Sequence, residues 1–409
     1  MKIAVFHNLP SGGAKRSLYE QCKRLSKRHS IDVYTLSSAE HNYCDIRPYT
    51  TKYQVFPFQA APLLRSPFGR INALMRLLDI LRLRRIESHI VSVIEASSYD
   101  VVYVQPCQYT NSPALLRYLL VPTVFYCQET LRRVYDPPLN TSISKRSFIR
   151  KSLDRIDPTP GLYLKVLKNE DRRNLMSADC VLVNSRFSKE RFSEAYQCET
   201  NVCYHGVDAL EFFPKRLDRK KFVLSVGAIR PNKGFEFIIR SLSIIPQEFR
   251  PAIFIIGNHS NSQYANYLDN LAKELFVNLE ILTMVSDEEL VRTYNTAQMT
   301  VYAPIMEPFG LVPLESMSCG TPVVGVAEGG VNETVVDGLN GRLVERDPET
   351  FAQVVLDLLQ NPDLLSKYGR QARGYVIENW SWEKSVMRLE SYLIDAANKS
   401  ILTTRGTLS

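Results

Sequence analysis

The chain has 409 residues, too many for one compact core and suited to two domains of ordinary size. Hydrophobic residues make up 45% and charged residues 23%, a balance that excludes intrinsic disorder, and no apolar run approaches the roughly 20 residues of a membrane-spanning helix. The net charge of +7 is uneven: residues 1–200 hold 30 Lys+Arg against 18 Asp+Glu, and residues 201–409 hold 20 against 25, so the basic first half suits an anionic surface or an acidic acceptor.

The opening MKIAVFHNLPSGG reads as a first strand running into a glycine turn, and its apolar run is too short for a signal peptide. In the first half KIAVF, IDVYTL, DVVYV, TVFYC and CVLVN are predicted strands, with predicted helices at 14–28, 72–95 and 186–196. The second half repeats the scheme. FVLSVG, AIFIIG, LEILT, MTVYAP and PVVGV are its strands, and 234–245, 264–276, 287–297, 313–319 and 351–360 its helices. Such alternation predicts βαβ units with parallel sheets, twice over, joined by the polar stretch 208–221. The eight cysteines form no Cys-x-x-Cys pair, several lie in apolar runs, and they read as free thiols in a reducing compartment. No His, Cys and carboxylate cluster has metal-ligand spacing.

In open α/β sheets ligands bind beyond the carboxyl ends of the strands, so those loops carry the functional signal. After the first strand, Gly12 and Gly13 precede a helix and would let backbone N–H groups approach an anion, although a plain tight turn needs the same residues. His7 follows that strand and could line a cleft. In SVGAIRPNKGFEF, Arg230 and Lys233 stand at the mouth of a helix opened by Gly234, an arrangement suited to a diphosphate. In MEPFGLVPLE, Glu307 follows a strand, Pro313 is placed for a first helical turn, and Glu315 is expected in that turn. A carboxylate is favourable there by a few tenths to about 1 kcal/mol. Glu307 has no such reason and points to a ligand.

Together GGA after the first strand, Lys233-Gly234, Glu307-x7-Glu315, SCGTPVV at 318–324 and EGGVNETVVDGLNG at 328–341 resemble the retaining glycosyltransferases of family 4. NSRFSKERF at 184–192, HGVDALEFFP at 205–214 and Trp382 extend the resemblance over nearly the whole chain. It implies the GT-B fold, α/β with two Rossmann-like domains facing a central cleft. The expected division is an acceptor domain at 1–207, a donor domain at 208–380, and a helix at 381–409 returning to the first domain. It also implies site roles. Glu307 would meet the donor sugar and Glu315 the ribose of the nucleotide. The N–H groups of Phe309, Gly310 and Leu311 would face the diphosphate, and Lys233 would neutralise it on departure. Gly12 and Gly13 would close on the phosphates.

Three positions depart from the family pattern. Ala228 stands where an arginine is common, leaving Arg230 as its substitute. Gln128, with Glu129 beside it, stands where a histidine commonly faces the sugar. A common glycine is missing near Thr283, where the base would lie. The expectation is a cytoplasmic hexosyltransferase of polysaccharide biosynthesis. It would use a UDP-, GDP- or ADP-sugar, a hydroxyl acceptor, and neither metal nor cofactor. Another enzyme on the same fold, an epimerase or a phosphorylase, is the alternative. A nucleic-acid partner is not expected, since no recognised motif or aromatic-rich basic ribbon is present. Residues 65–86, with six arginines among leucines and isoleucines, could lie on an anionic membrane face or pack on their own domain.

Overall fold

The computed structural model describes residues 1–64, 71–136, 157–257 and 262–406. Two parallel sheets organise it. The first contains β1 (Lys2–Asn8), β2 (Ser30–Leu36), β3 (Lys52–Phe56), β4 (Val101–Cys107), β5 (Thr123–Tyr126), β6 (Cys180–Val183) and β7 (Asn201–Val202), in the order β3-β2-β1-β4-β5-β6-β7. The second contains β8 (Phe222–Val226), β9 (Ala252–Gly257), β10 (Leu279–Thr283), β11 (Met299–Tyr302), β12 (Val323–Val326) and β13 (Gly341–Val344), in the order β10-β9-β8-β11-β12-β13. Both are doubly wound, and each reverses direction between its first and fourth strands, where such sheets bind ligands.

The central strands are continuous apolar runs because helices cover both faces. In β1, Ala4 and Phe6 enter one core with Leu83, Ile90 and Ile94 of α2 (Ile71–Glu95). Ile3 and Val5 enter the other, with Leu18, Cys22 and Leu25 of α1 (Gly13–Leu25). That second core also takes Val386, Leu389 and Leu393 from the helix Trp382–Gly406, so the end of the chain packs on the first sheet. The crossing is tight. Val207 donates its N–H to Trp380 O at 2.8 Å.

Most predicted elements lie within a few residues of their observed limits, and helix Arg186–Tyr196 and strand β9 coincide with them. Edge strands β3 and β13 and the helices Thr159–Leu175 and Pro362–Asn379 have no counterpart in the sequence reading. All eight cysteines are unpaired, and five are buried. In the basic segment 65–86, residues 65–70 lie outside the described residues. The rest opens α2, where Ile71, Leu74, Leu78 and Leu81 are exposed and Arg76 and Arg82 both pair with the buried Asp79, at 2.5 and 3.0 Å. Among the described residues no helix is long and apolar enough to cross a membrane.

Candidate active site

The loop after β11 is the centre of the site. It leaves the strand at Ala303, passes Met306 in a left-handed conformation (φ 51°), and ends at Gly310 (φ 92°), which caps the helix Leu311–Ser318. The helix therefore starts two residues before Pro313. Glu315 is its fifth residue and not, as expected, in its first turn. The first N–H groups of a helix have no intrahelical acceptor, so those of Leu311 and its neighbours are free to meet an anion. The side chain of Phe309 is buried against His205, Trp380 and Tyr204, with ring centroids 5.2, 5.5 and 6.2 Å away.

Glu307 and Lys233 meet across the loop ends of β11 and β8. Lys233 Nζ lies 2.8 Å from both carboxylate oxygens. Burial alone would raise the Glu307 pKa; Lys233, with the nearby Arg132, outweighs it and holds the carboxyl below its ordinary value. Gly234 lets the two loops touch, since a Cβ there would sit 1.9 Å from Ala303 O. Gly330 performs the same service on the other side. Its N–H donates to Glu307 O at 2.8 Å, and a Cβ would lie 2.3 Å from Pro308 O. Arg346 fastens the strand end by donating to Glu328 at 2.7 Å and Ala303 O at 3.1 Å. The carboxylate of Glu307 is thus fixed by its backbone as well as by its counter-ion.

Glu315, 7% exposed, accepts from Tyr294 Oη at 2.9 Å and from Arg16 Nη1 at 3.2 Å. Arg16 belongs to α1 of the first domain. It also meets Asp287 at 2.8 Å and Tyr43 Oη at 3.3 Å. Arg132, likewise from the first domain, donates to Met306 O at 2.9 Å and Ile305 O at 3.3 Å. Ser185 Oγ donates to Pro308 O at 2.5 Å. Glu333 accepts from the N–H groups of Arg186 and Phe187 at 3.0 and 2.9 Å and from Tyr204 Oη at 2.7 Å. The loop carrying both glutamates is therefore gripped from the first domain as well as the second.

Of the other residues singled out in the sequence, Gly12 caps α1 and Gly13 opens it; a Cβ on Gly13 would touch Leu311 Cδ1 at 3.5 Å, so two helix N-termini meet here. Gln128 is half-buried, and its Nε2 has no hydrogen-bond partner among the described residues. Arg230 is exposed; its carbonyl accepts from the Lys233 N–H at 3.1 Å, but its side chain makes no polar contact among the described residues and is not drawn into the cluster. His7 does not line the cleft as expected: it lies within β1 and is wholly buried, because alternation turns it under α1. His205 is a structural residue, its Nδ1 within 3.0 Å of both Ser17 Oγ and Tyr126 Oη, and burial lowers its pKa to about 3. Among the described residues no group of His, Cys, Asp and Glu could hold a metal ion. Arg16, Arg132 and Tyr294 were not foreseen. Arg16 lies in the GGAKRS stretch, where a cation just inside a helix beside a glycine turn was a readable signal.

Two family profiles match the chain. One, Glycosyltransferase Family 4, covers residues 11–210, and the other, Glycosyl transferases group 1, covers residues 208–375. The alpha-1,3/1,6-mannosyltransferase ALG2 of Rhizomucor pusillus is 23% identical over 97% of this chain and 92% of its own length. The uncharacterized glycosyltransferase MJ1178 of Methanocaldococcus jannaschii is 29% identical over 52% of this chain, which spans 58% of that relative. Among solved structures, Anabaena Alr3699/HepE in complex with UDP and glucose superimposes with a TM-score of 0.70, at 18% identity, over 96% of this chain and 99% of that one. Two doubly wound domains, closed on a shared glutamate loop and matched in order by both profiles, are those of a GT-B enzyme, and the chain belongs to the group 1 and family 4 glycosyltransferases.

Proposed function

We propose that this glycosyltransferase moves a hexose from a nucleoside-diphosphate sugar to a hydroxyl acceptor, with retention of anomeric configuration and without a metal ion. The observation that carries the reading is the convergence of Lys233, Glu307, Glu315 and the N-terminus of helix Leu311–Ser318 on one loop. Breaking the sugar–phosphate bond places charge on the departing diphosphate, and stabilising that charge is the main catalytic task. Lys233 and the helix N-terminus perform it. Glu307 meets the sugar hydroxyls, and Glu315 takes the ribose hydroxyls in place of Arg16. Attack occurs on the face the diphosphate leaves, with a phosphate oxygen accepting the acceptor's proton, so no protein nucleophile is assigned. Arg230, exposed and unpaired, is a secondary phosphate contact in this reading. The HepE structure, with UDP and glucose, supports a nucleotide donor. The exposed apolar edge of α2 and the basic first domain support peripheral contact with an anionic membrane, which flotation with anionic vesicles tests.

The test is a thermal-shift panel of UDP-, GDP- and ADP-sugars with and without EDTA. One donor should raise the melting temperature, and turnover should survive chelation with the anomer retained. If EDTA abolishes turnover and magnesium or manganese restores it, the metal-free account is wrong.

A further inference from the structure

At the carboxyl end of β1, three basic side chains lie near one another, Lys15 and His41 close enough to act on His7. His7 faces the α1 side of the sheet with Ile3 and Val5, and Lys15 reaches down from α1; both are 0% exposed. His41, in the loop after β2, holds Tyr53 Oη at 2.7 Å through Nδ1. Lys15 Nζ, His7 Nε2 and His41 Nε2 have no hydrogen-bond partner among the described residues. Gln105 is buried beside them on β4, which pairs with β1 in register Phe6–Val104.

A protein core does not ordinarily assemble such a group. Each unsatisfied buried donor costs stability, and more when charged. The nearest acidic groups are already engaged. Glu40 accepts from the N–H groups of Asn42 and Tyr43, and Asp45 pairs with Arg47 at 2.8 Å. Burial pushes the Cys22 thiol up to about 12 and raises that of Cys44, so both stay neutral. Burial likewise lowers the pKa of Lys15 and of His7, the direction a cation takes when its counter-charge is missing.

We infer that this cluster is a phosphate site, in which Lys15, His7 and His41, under the first turn of α1, hold the phosphate group of a phosphorylated acceptor. The three nitrogens approach from a helix, a strand and a loop. A tetrahedral anion accepts from all those directions at once, whereas a planar carboxylate accepts mainly in its plane. The site lies at the switch point of the first sheet, beside a helix N-terminus. It also adjoins the donor cleft, because Arg16, next in the chain to Lys15, bonds Glu315, and Gly13 faces Leu311. The loop of residues 37–46, which carries His41, is tied to α1 by the Arg16–Tyr43 hydrogen bond. The term acceptor rests on the function proposed above; the binding of phosphate does not.

The experiment is calorimetric titration of inorganic phosphate into the full chain already saturated with UDP, which occupies the donor cleft. UDP binding is read first, so its failure counts against the donor reading alone. One phosphate should bind per chain. Lys15→Met should weaken it at least tenfold and His41→Gln severalfold, with UDP affinity unchanged. Should Lys15→Met fold poorly, Lys15→Gln and His41→Gln give the same readout. Absence of phosphate binding in the wild type, equal binding in the variants, or acetate binding as tightly as phosphate overturns the site. Glycerol phosphate separates the sources: it should bind like inorganic phosphate, and its exclusion would make this a free-ion site and overturn the acceptor assignment.

Discussion

The two domains share a strand order but treat charge at their strand ends in opposite ways. In the second, cation and carboxylate are matched: Lys233 with Glu307 and Arg346 with Glu328, while Glu315 is met by Arg16 from the first domain. In the first, among the described residues, Lys15 Nζ and His7 Nε2 are buried without a hydrogen-bond partner, and the Glu87 carboxylate of α2 is buried against the backbone N–H groups of Ala114 and Leu115. A matched pair has already recovered its desolvation cost and stands ready for a ligand that is common to many reactions. An unmatched buried polar group keeps that cost outstanding until something else supplies a partner. The loops follow suit. Those of the second domain are wedged together by glycines, whereas the glycine turn of the first domain is open.

The largest test of that contrast is steric. Gly234 has φ 72° and no room for a Cβ beside Ala303 O, whereas a Cβ on Gly13 would make an ordinary contact with Leu311. Gly234→Ala should cost more than about 4 kcal/mol or prevent folding, while Gly13→Ala should keep its melting temperature. Equal behaviour of the two variants by thermal denaturation would remove the distinction between wedged and open loops. Next is the matched pair itself. Glu307→Gln keeps the shape and removes the charge that Lys233 holds, and kcat should fall by about 10²–10³ with donor KM little changed. Steady-state kinetics decides, and a change confined to KM would assign Glu307 to simple binding.

Glu315 should behave differently, because the ribose is a spectator in the reaction. Glu315→Gln should raise donor KM and weaken nucleoside diphosphate by roughly 1.5–3 kcal/mol, with kcat nearly kept. Calorimetry with UDP reads this directly. Loss of UDP binding at Glu307 with retention at Glu315 would reverse the donor in the cleft.

How much of this was legible in the sequence follows the same division. The central strands announce themselves because both faces are buried: IAVF and VVYV can be little else. Edge strand β3, KYQVF, is polar or exposed at most positions and carries no such signal. Glu307 was legible because a carboxylate at a strand end has few structural reasons to exist. Its fixation was not, since Arg132 lies 174 residues from the carbonyl it grips and Arg16 lies 299 residues from Glu315. His7 illustrates the limit most clearly: one residue of difference in where a strand ends moves a side chain from cleft to core.

The smallest effect per pH unit, and the one that separates the domains on thermodynamics alone, is the pH dependence carried by Glu87. Burial raises its pKa from the ordinary 4.5 to about 8, against the opposing backbone hydrogen bonds and Arg117. Between those values the folded chain holds a proton at Glu87 that the unfolded chain has released. Stability must therefore fall as pH rises through this window, by up to about 1.4 kcal/mol per unit from this group, and level off above it. Glu307 has the opposite sign. Its pKa is lowered, so its contribution is present above the ordinary carboxylate range and is lost on acidification. Glu87→Gln keeps an acceptor for Ala114 and Leu115 and cannot ionise. Its advantage over the wild type in urea denaturation should be absent near pH 4.5 and grow steadily towards pH 8. Parallel profiles for the two proteins would mean that Glu87 ionises as freely in the fold as outside it, and the first domain would lose one of its unmatched buried groups.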